Sequence, residues 1–410
     1  MGTLIKNELI KLFKRKKTLV VFIGFLLLLS VATFLQYNTE KSILESNKPE
    51  NILASHKKTL KHLEEEKKSV SSKLKDKPDE LTLRIKGIDE EILSVEKNIA
   101  DVQEVIKSGN KEPDWKAKLQ DDIKLGEAQY ELNKKGKGKD LEYIRLKIEE
   151  SKYLLKNNIK PVEDYKVNGF NFLRFIISSL GMSFLTMGVI VFSADIVSGE
   201  YTPATLKFLL IQPVSRVKVL LSKFISLVAS AVTLIIGGEL IFFLGISIWR
   251  GMGNANYPII QGFKYAFDTT RLNEFGKYDL VPISNSGGIM PIWKFLAFAL
   301  LIQILYIISC CTLAFLISTI VKSSMMSMTL SVVTIIMFQF LSVVMGKFQG
   351  FNRFIVTMYS NPISLLEGNL AFQIGDPSIN TKDAVIIMLV WIIICYIISH
   401  INFKKKDILI

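Results

Sequence analysis

Six apolar runs constrain this chain more than any other feature, at about 18–37, 172–197, 217–248, 293–320, 325–346 and 383–402. Each has the roughly 20 residues a helix needs to cross about 30 Å of hydrocarbon. Inside hydrocarbon the backbone must satisfy its own hydrogen bonds, and such runs do so as helices. The spacing predicts an all-α polytopic membrane protein with six transmembrane helices. A mean hydropathy of +0.32 and 49% hydrophobic content agree. The first run does not read as a cleaved leader. It has the length of a full span, and Gln36-Tyr37-Asn38-Thr39-Glu40 follows it with no small-residue cleavage site.

Basic residues in short loops set the orientation. The N-terminus carries Lys6, Lys11, Lys14, Arg15, Lys16 and Lys17 against Glu8. Lys207, Arg216, Lys218 and Lys223 follow the second run, Lys322 follows the fourth, and Lys404, Lys405 and Lys406 lie near the end. All four groups fall on one side of a six-span chain. Both termini are therefore expected in the cytoplasm of a multi-pass cell (plasma) membrane protein, with residues 38–170 extracellular. The first sixteen residues interleave Leu4, Ile5, Leu9, Ile10, Leu12 and Phe13 with Lys6, Lys11 and Lys14. That helical spacing suits an interfacial helix with its lysines among lipid headgroups; the plainer alternative is a cytoplasmic extension of the first span.

The net charge of +13 does not point to nucleic acid, because of where it sits. Residues 38–170 hold 28 basic and 27 acidic residues, so the remaining 23 basic and 11 acidic residues carry nearly all the excess. Much of it lies in the four cytoplasmic segments, where anionic lipid attracts it. Cys310, Cys311 and Cys395 all lie inside apolar runs, which excludes a disulfide framework. His56, His62 and His400 have no second ligand at metal spacing, so no metal site is expected.

Residues 38–170 lack any long apolar run yet are strongly periodic. Ile85, Ile88, Ile92, Val95, Ile99, Val102 and Ile106 step 3-4-3-4-3-4, a heptad seam. Leu60, Leu63, Lys67, Val70 and Leu74 step likewise with one charge, and Leu141, Ile144, Ile148, Ser151 and Leu155 with one polar member. Breakers at Lys77-Pro78-Asp79, Ser108-Gly109-Asn110 and Gly136-Lys137-Gly138 divide the segment into helices at about 51–76, 79–107, 113–134 and 139–158. The pattern predicts a large extracellular α-helical coiled-coil insertion between the first two spans, as a small antiparallel bundle or one long broken hairpin. The loop 249–292 is of ordinary make-up, rich in Gly, Asn and Ser with aromatics such as Tyr257, Phe263, Tyr265 and Phe267, whereas 347–382 suits one or two short helices lying partly in the interface.

The stretch Ser198-Gly199-Glu200-Tyr201-Thr202-Pro203-Ala204-Thr205-Leu206 through Gln212-Pro213-Val214-Ser215-Arg216 joins the second and third runs. It resembles the cytoplasmic loop of ABC-2 type ABC transporter permeases, transmembrane subunits of ABC exporters that include antibiotic- and peptide-resistance systems. The resemblance in span order covers the chain outside 38–170, and the sharp motif about 195–216. It implies that Glu200, Thr205, Leu206, Leu209, Pro213, Ser215 and Arg216 dock a separate ABC ATPase (nucleotide-binding) subunit. Ala204 departs from the glycine common there. It also implies an amphipathic helix before the first span, short re-entrant helices between spans five and six, and a second permease subunit, identical or related. The domains would be 1–37, interfacial helix and first span; 38–170, the coiled-coil domain; and 171–410, the permease core.

No phosphate-binding G-x-x-x-x-G-K-[ST] occurs, since Gly136-Lys137-Gly138-Lys139 has neither the spacing nor the hydroxyl. The chain is thus expected to be no enzyme by itself and to hold no cofactor, ATP and Mg residing in the partner ATPase. Glu239, Gln303 and Gln339 sit within apolar runs, where polar groups are costly and become candidates for a substrate path. Ser226, Ser230, Thr233 and Gly237 form a small-residue ridge suited to close helix or subunit packing. The expected function is export of an amphiphile such as an antimicrobial peptide, lipophilic antibiotic or lipid, with membrane lipid as a partner. The rival is a membrane-anchored sensor or scaffold whose coiled coil binds a ligand. In intact cells an impermeant thiol reagent should label Val70→Cys and Leu125→Cys but not Gln212→Cys; labelling at 212 would reverse the orientation.

Overall fold

Five helices among the described residues are long and apolar enough to cross a membrane. The computed structural model describes residues 1–73, 78–109, 114–136, 141–201, 214–272, 276, 278–344 and 352–405. The five are α2 (Lys16–Ser46), α9 (Arg216–Arg250), α10 (Ile292–Ile320), α11 (Ser324–Val344) and α14 (Thr381–Lys405). They match the first, third, fourth, fifth and sixth apolar runs.

The second run is helical but interrupted. It forms α7 (Gly169–Leu180), a π-turn at Gly181–Leu185 and α8 (Thr186–Ser193). A close approach lies at the break. A Cβ at Gly181 would lie 1.7 Å from the Ser360 carbonyl oxygen, so only glycine admits the neighbouring 3₁₀ turn Val356–Ser360 here. The π-turn frees backbone acceptors, and Thr186 answers by donating its hydroxyl to the Gly181 carbonyl at 2.9 Å. The Tyr306 hydroxyl of α10 lies 2.6 Å from the same Thr186 oxygen.

By contacts the chain divides into two compact units, Phe34–Lys118 and a larger one of Met1–Thr33 with Leu119–Ile410. In the smaller unit α3 (Pro49–Lys73) packs on α4 (Pro78–Lys107). The predicted seams face inward: Leu63 and Ile88 are buried, and Leu60, Val70, Ile85, Ile92, Val95, Ile99, Val102 and Ile106 are half-buried. A Lys67–Asp89 ion pair crosses the hairpin, and Leu74 lies outside the described residues. The other two expected helices form as α5 (Trp115–Gly136) and α6 (Leu141–Lys156). Most of α5 and all of α6 belong to the larger unit, so the expected single bundle is divided between the two.

In the larger unit, Tyr306, Cys310, Cys311 and Ala314 of α10 meet Val189 and Ile190 of α8 and Ala384, Met388 and Cys395 of α14. Small residues let α10 and α14 come close, and the Ser309 hydroxyl donates to the Leu305 carbonyl at 2.9 Å rather than standing unpaired. The three cysteines are free and buried.

The all-α expectation needs one correction. The 249–292 loop forms four short strands, β1 (Pro258–Gln261), β2 (Tyr265–Leu272), β3 (Tyr278–Pro282) and β4 (Gly288–Pro291). β1 pairs antiparallel with β4, Ile259 opposite Met290, and β2 with β3, Phe267 opposite Leu280. The strands cap α12 (Pro362–Glu367): the Gly262 and Phe263 amides donate to the Leu366 and Glu367 carbonyls at 2.9 Å each. Gly368, at φ +90°, ends α12 where any Cβ would strike the Phe263 carbonyl. α13 (Asn369–Ile374) follows, so the short helices expected within 347–382 are present.

Glu142 pins α6 to this loop. Buried, it accepts the Asn285 amide at 2.8 Å, the Gly287 amide at 2.9 Å and two bonds from Arg145 at 2.7 and 2.9 Å. Burial alone would raise its pKa, but Arg145 and the two amides outweigh it and hold the carboxyl at about 2, against an ordinary 4.5. A depressed carboxyl stabilises the fold above its unfolded pKa, and that stability is lost as pH falls through the folded value. Glu142→Gln should therefore destabilise this region at neutral pH by on the order of 3 kcal/mol. Thermal unfolding in detergent should show the gap from wild type closing between about pH 4.5 and pH 2; a pH-independent gap would refute the pin.

Candidate functional site

The N-terminal helix α1 (Gly2–Lys14) lies on α9, and charge holds it there. Lys223, fully buried on α9, donates from Nζ to both Glu8 carboxylate oxygens at 3.0 Å and to Glu200 Oε1 at 2.6 Å. Lys11 reaches the same Glu200 oxygen at 3.3 Å from a half-exposed position. Ser226 donates its hydroxyl to the Ile5 carbonyl at 3.2 Å, one turn further along α9. Leu12 completes the seat as a buried apolar residue.

The chain turns sharply at Arg15, whose backbone is extended between α1 and α2. Lys17, just inside α2, donates to Asp195 Oδ1 at 2.8 Å, and Arg15 stands 3.9 Å from that oxygen. Asp195 follows α8. The turn continues through a 3₁₀ piece, Ser198–Glu200, whose approach is held by Ser318 of α10. The Ser318 oxygen accepts the Val197 and Ser198 amides at 3.1 and 3.0 Å. Both arms of the α1–α2 elbow are thus tied to one short segment, 195–200.

That segment leads into the resembled docking loop. Thr205, Leu206, Leu209 and Pro213 lie outside the described residues. Glu200, before them, is buried and turned toward Lys223 rather than outward. Beyond them, Ser215 caps α9 by accepting the Lys218 amide at 3.4 Å, and Arg216 is exposed. One end of the loop is rooted in a buried ion cluster and the other in a helix cap.

Two carboxylates and an ammonium out of water are costly unless mutually paired, and deleting one partner strands the rest. Lys223 compensates both acids at once, and Lys11 adds a second cation from the surface. In the sequence alone Lys223 and Glu8 count only among the charges of cytoplasmic segments, and Asp195 carries no signal of its own. A signal was present: Lys223 stands among Leu220, Leu221, Phe224 and Ile225, and Glu8 is the one acid in a basic segment.

The intramembrane candidates fall in different places. Gln303 Nε2 donates to Glu239 Oε1 at 2.7 Å, joining α10 to α9, with both residues buried. Among the described residues Glu239 Oε2 and Gln303 Oε1 have no hydrogen-bond partner. Gln339 is half-buried on α11 and does not join that pair. The small-residue ridge is split. Ser226 and Ser230 are buried, while Thr233 is exposed and Gly237 has open space beside it.

The profile of the ABC-2 family transporter proteins matches residues 3–408, nearly the whole chain, and the chain belongs to that family. No curated protein matches it.

Lys223→Met should lower thermal stability in detergent more than Glu8→Gln, because it strands two buried carboxylates, at a cost of about 3–5 kcal/mol. The double variant Glu8→Gln/Lys223→Met should lose less than the sum of the singles. Strict additivity would show that the two side chains do not act on each other.

Proposed function

We propose that this ABC-2 family permease is the membrane half of an ATP-driven exporter whose segment 202–213 docks the ATPase subunit. The observation that carries the reading is the buried Glu8–Lys223–Glu200 cluster at the root of that segment. A push on the loop is delivered through Glu200 to Lys223, and from there to α1. Through Asp195 it is also delivered to the base of α2. Glu200 acts in this reading as a positioning residue, while Arg216 and the loop's apolar residues make the contact. The six-span arrangement follows, with both termini cytoplasmic, residues 38–170 outside and the interrupted α7–α8 run as the second span. A second permease copy or relative would complete the path, and an amphiphile would be moved outward or out of the membrane.

One observation favours the sensor or scaffold reading: the α3–α4 hairpin forms a compact unit of its own. Affinity purification of the full chain in mild detergent separates the two. The exporter should carry an ABC ATPase subunit and hydrolyse ATP only with it. Exchanging Thr205–Leu209 for a Gly/Ser sequence, or Arg216→Ala, should release the ATPase while the permease stays monodisperse. Retention of the ATPase by both variants would move the docking surface elsewhere. A wild-type preparation without any ATPase would favour the scaffold.

A further inference from the structure

A cavity of about 1040 Å³ opens among α6, the linker 159–167, β1–β3 and the short helices α12 and α13, with the start of α5 at its rim. It lies wholly within the larger unit. Its volume is of the size that holds a drug-sized ligand.

The charge of this cavity opposes that of the chain. Its described walls carry Asp122, Glu150, Glu163, Asp164, Asp279 and Glu367 against Lys147 and Arg174. Six acids and two bases leave a local balance of −4, in a chain of net charge +13. The two cations are already committed. Lys147 pairs with Glu150 at 2.9 Å, and Arg174 with Glu367 at 2.7 Å and Asp164 at 3.3 Å. Asp122 and Glu163 are exposed at the rim. The Tyr257 phenol is pushed up, first by burial and then by the charges of Glu150 and Asp164.

Aromatic side chains share the lining. Phe263, Tyr265 and Phe372 form a row, with ring centroids 6.3 Å apart for the first pair and 5.5 Å for the second. Phe372 is 58% exposed, which leaves its ring accessible at the cavity. Ring faces attract cations and shelter apolar groups, whereas anions gain nothing from them.

We infer that this cavity is a binding site for a cationic amphiphile, held by ring faces on its apolar body and by the carboxylate rim on its charge. Resting on the exporter reading, this names the charge class of the substrate and the place where it is received. An anionic lipid would meet the exposed rim carboxylates Asp122 and Glu163 and be disfavoured.

The test uses the full chain in phosphatidylcholine nanodiscs, with radiolabelled tetraphenylphosphonium as the probe and tetraphenylborate as its anionic isostere. Tetraphenylphosphonium should bind saturably, less tightly as ionic strength rises. Asp122→Asn/Glu163→Gln should weaken it about tenfold, and Phe372→Ala by a similar factor, with unchanged thermal stability. Tetraphenylborate should show no component that depends on these residues. Absent saturable binding, binding indifferent to both variants, or equal variant-sensitive binding of the anion would each overturn the proposal. The measurement needs neither ATPase nor transport. Site-dependent binding without export would therefore sink the exporter reading alone.

Discussion

Lys223 is the charge around which one end of this molecule is organised. A fully buried ammonium must be met by carboxylates, and the two that meet it come from segments far apart in sequence, Glu8 on α1 and Glu200 before the 202–213 loop. Because each acid is buried as well, losing Lys223 strands both, whereas losing either acid leaves Lys223 with the other. The amphipathic α1 is therefore held by more than its apolar face. It is fastened to the same point from which the loop departs, and the Lys17–Asp195 pair fastens α2 beside it. Geometry of this kind moves as one piece or breaks.

The interruption of the second apolar run follows from a different constraint. The π-turn begins at Gly181, where any Cβ would lie 1.7 Å from the Ser360 carbonyl oxygen. Gly181 admits the turn, and the Thr186 and Tyr306 hydroxyls stabilise the π-turn. Hydrocarbon tolerates irregular backbone only where neighbouring groups satisfy it, and here the satisfying groups come from α8 and α10. The irregularity is thus a packed feature with its own hydrogen bonds.

Much of this was legible in sequence. Long apolar runs become helices because hydrocarbon leaves the backbone little choice, and the heptad seams of α3 and α4 appear where periodicity placed them. α1 was legible from its interleaved lysines. The four strands of 258–291 were not, since they are short, half-buried and bounded by glycines, and their order depends on capping α12 rather than on local propensity. Glu200 stood out through the resemblance, but its inward direction depends on Lys223, 23 residues later, and on Glu8, 192 residues earlier. Pairings of that range leave no periodic trace. The acidic cavity was invisible for the same reason: its acids are drawn from five separate stretches of chain, each near neutral by itself.

The two ends of the larger unit share one element. The run from α7 to the 3₁₀ piece begins at Arg174, which pairs with Asp164 and Glu367 on the cavity wall, and ends at Asp195 and Glu200 beneath the elbow. α9 runs back beside it, from Lys223 in the ion cluster to Gly251, whose carbonyl accepts the Gly169 amide at the start of α7. On the exporter reading, a push at 202–213 enters a pair of helices anchored by charge at one end and by backbone hydrogen bonds at the other. The regular i→i+4 ladder is broken twice on this path, over the turn and 3₁₀ piece of 194–200 and at the π-turn Gly181–Leu185. Its partner there is the Ser360 turn, which leads directly into α12 and Glu367 on the cavity wall. The π-turn and the cavity proposed to receive substrate are thus joined through residues 360–367, a stretch short enough for one to be altered by the other.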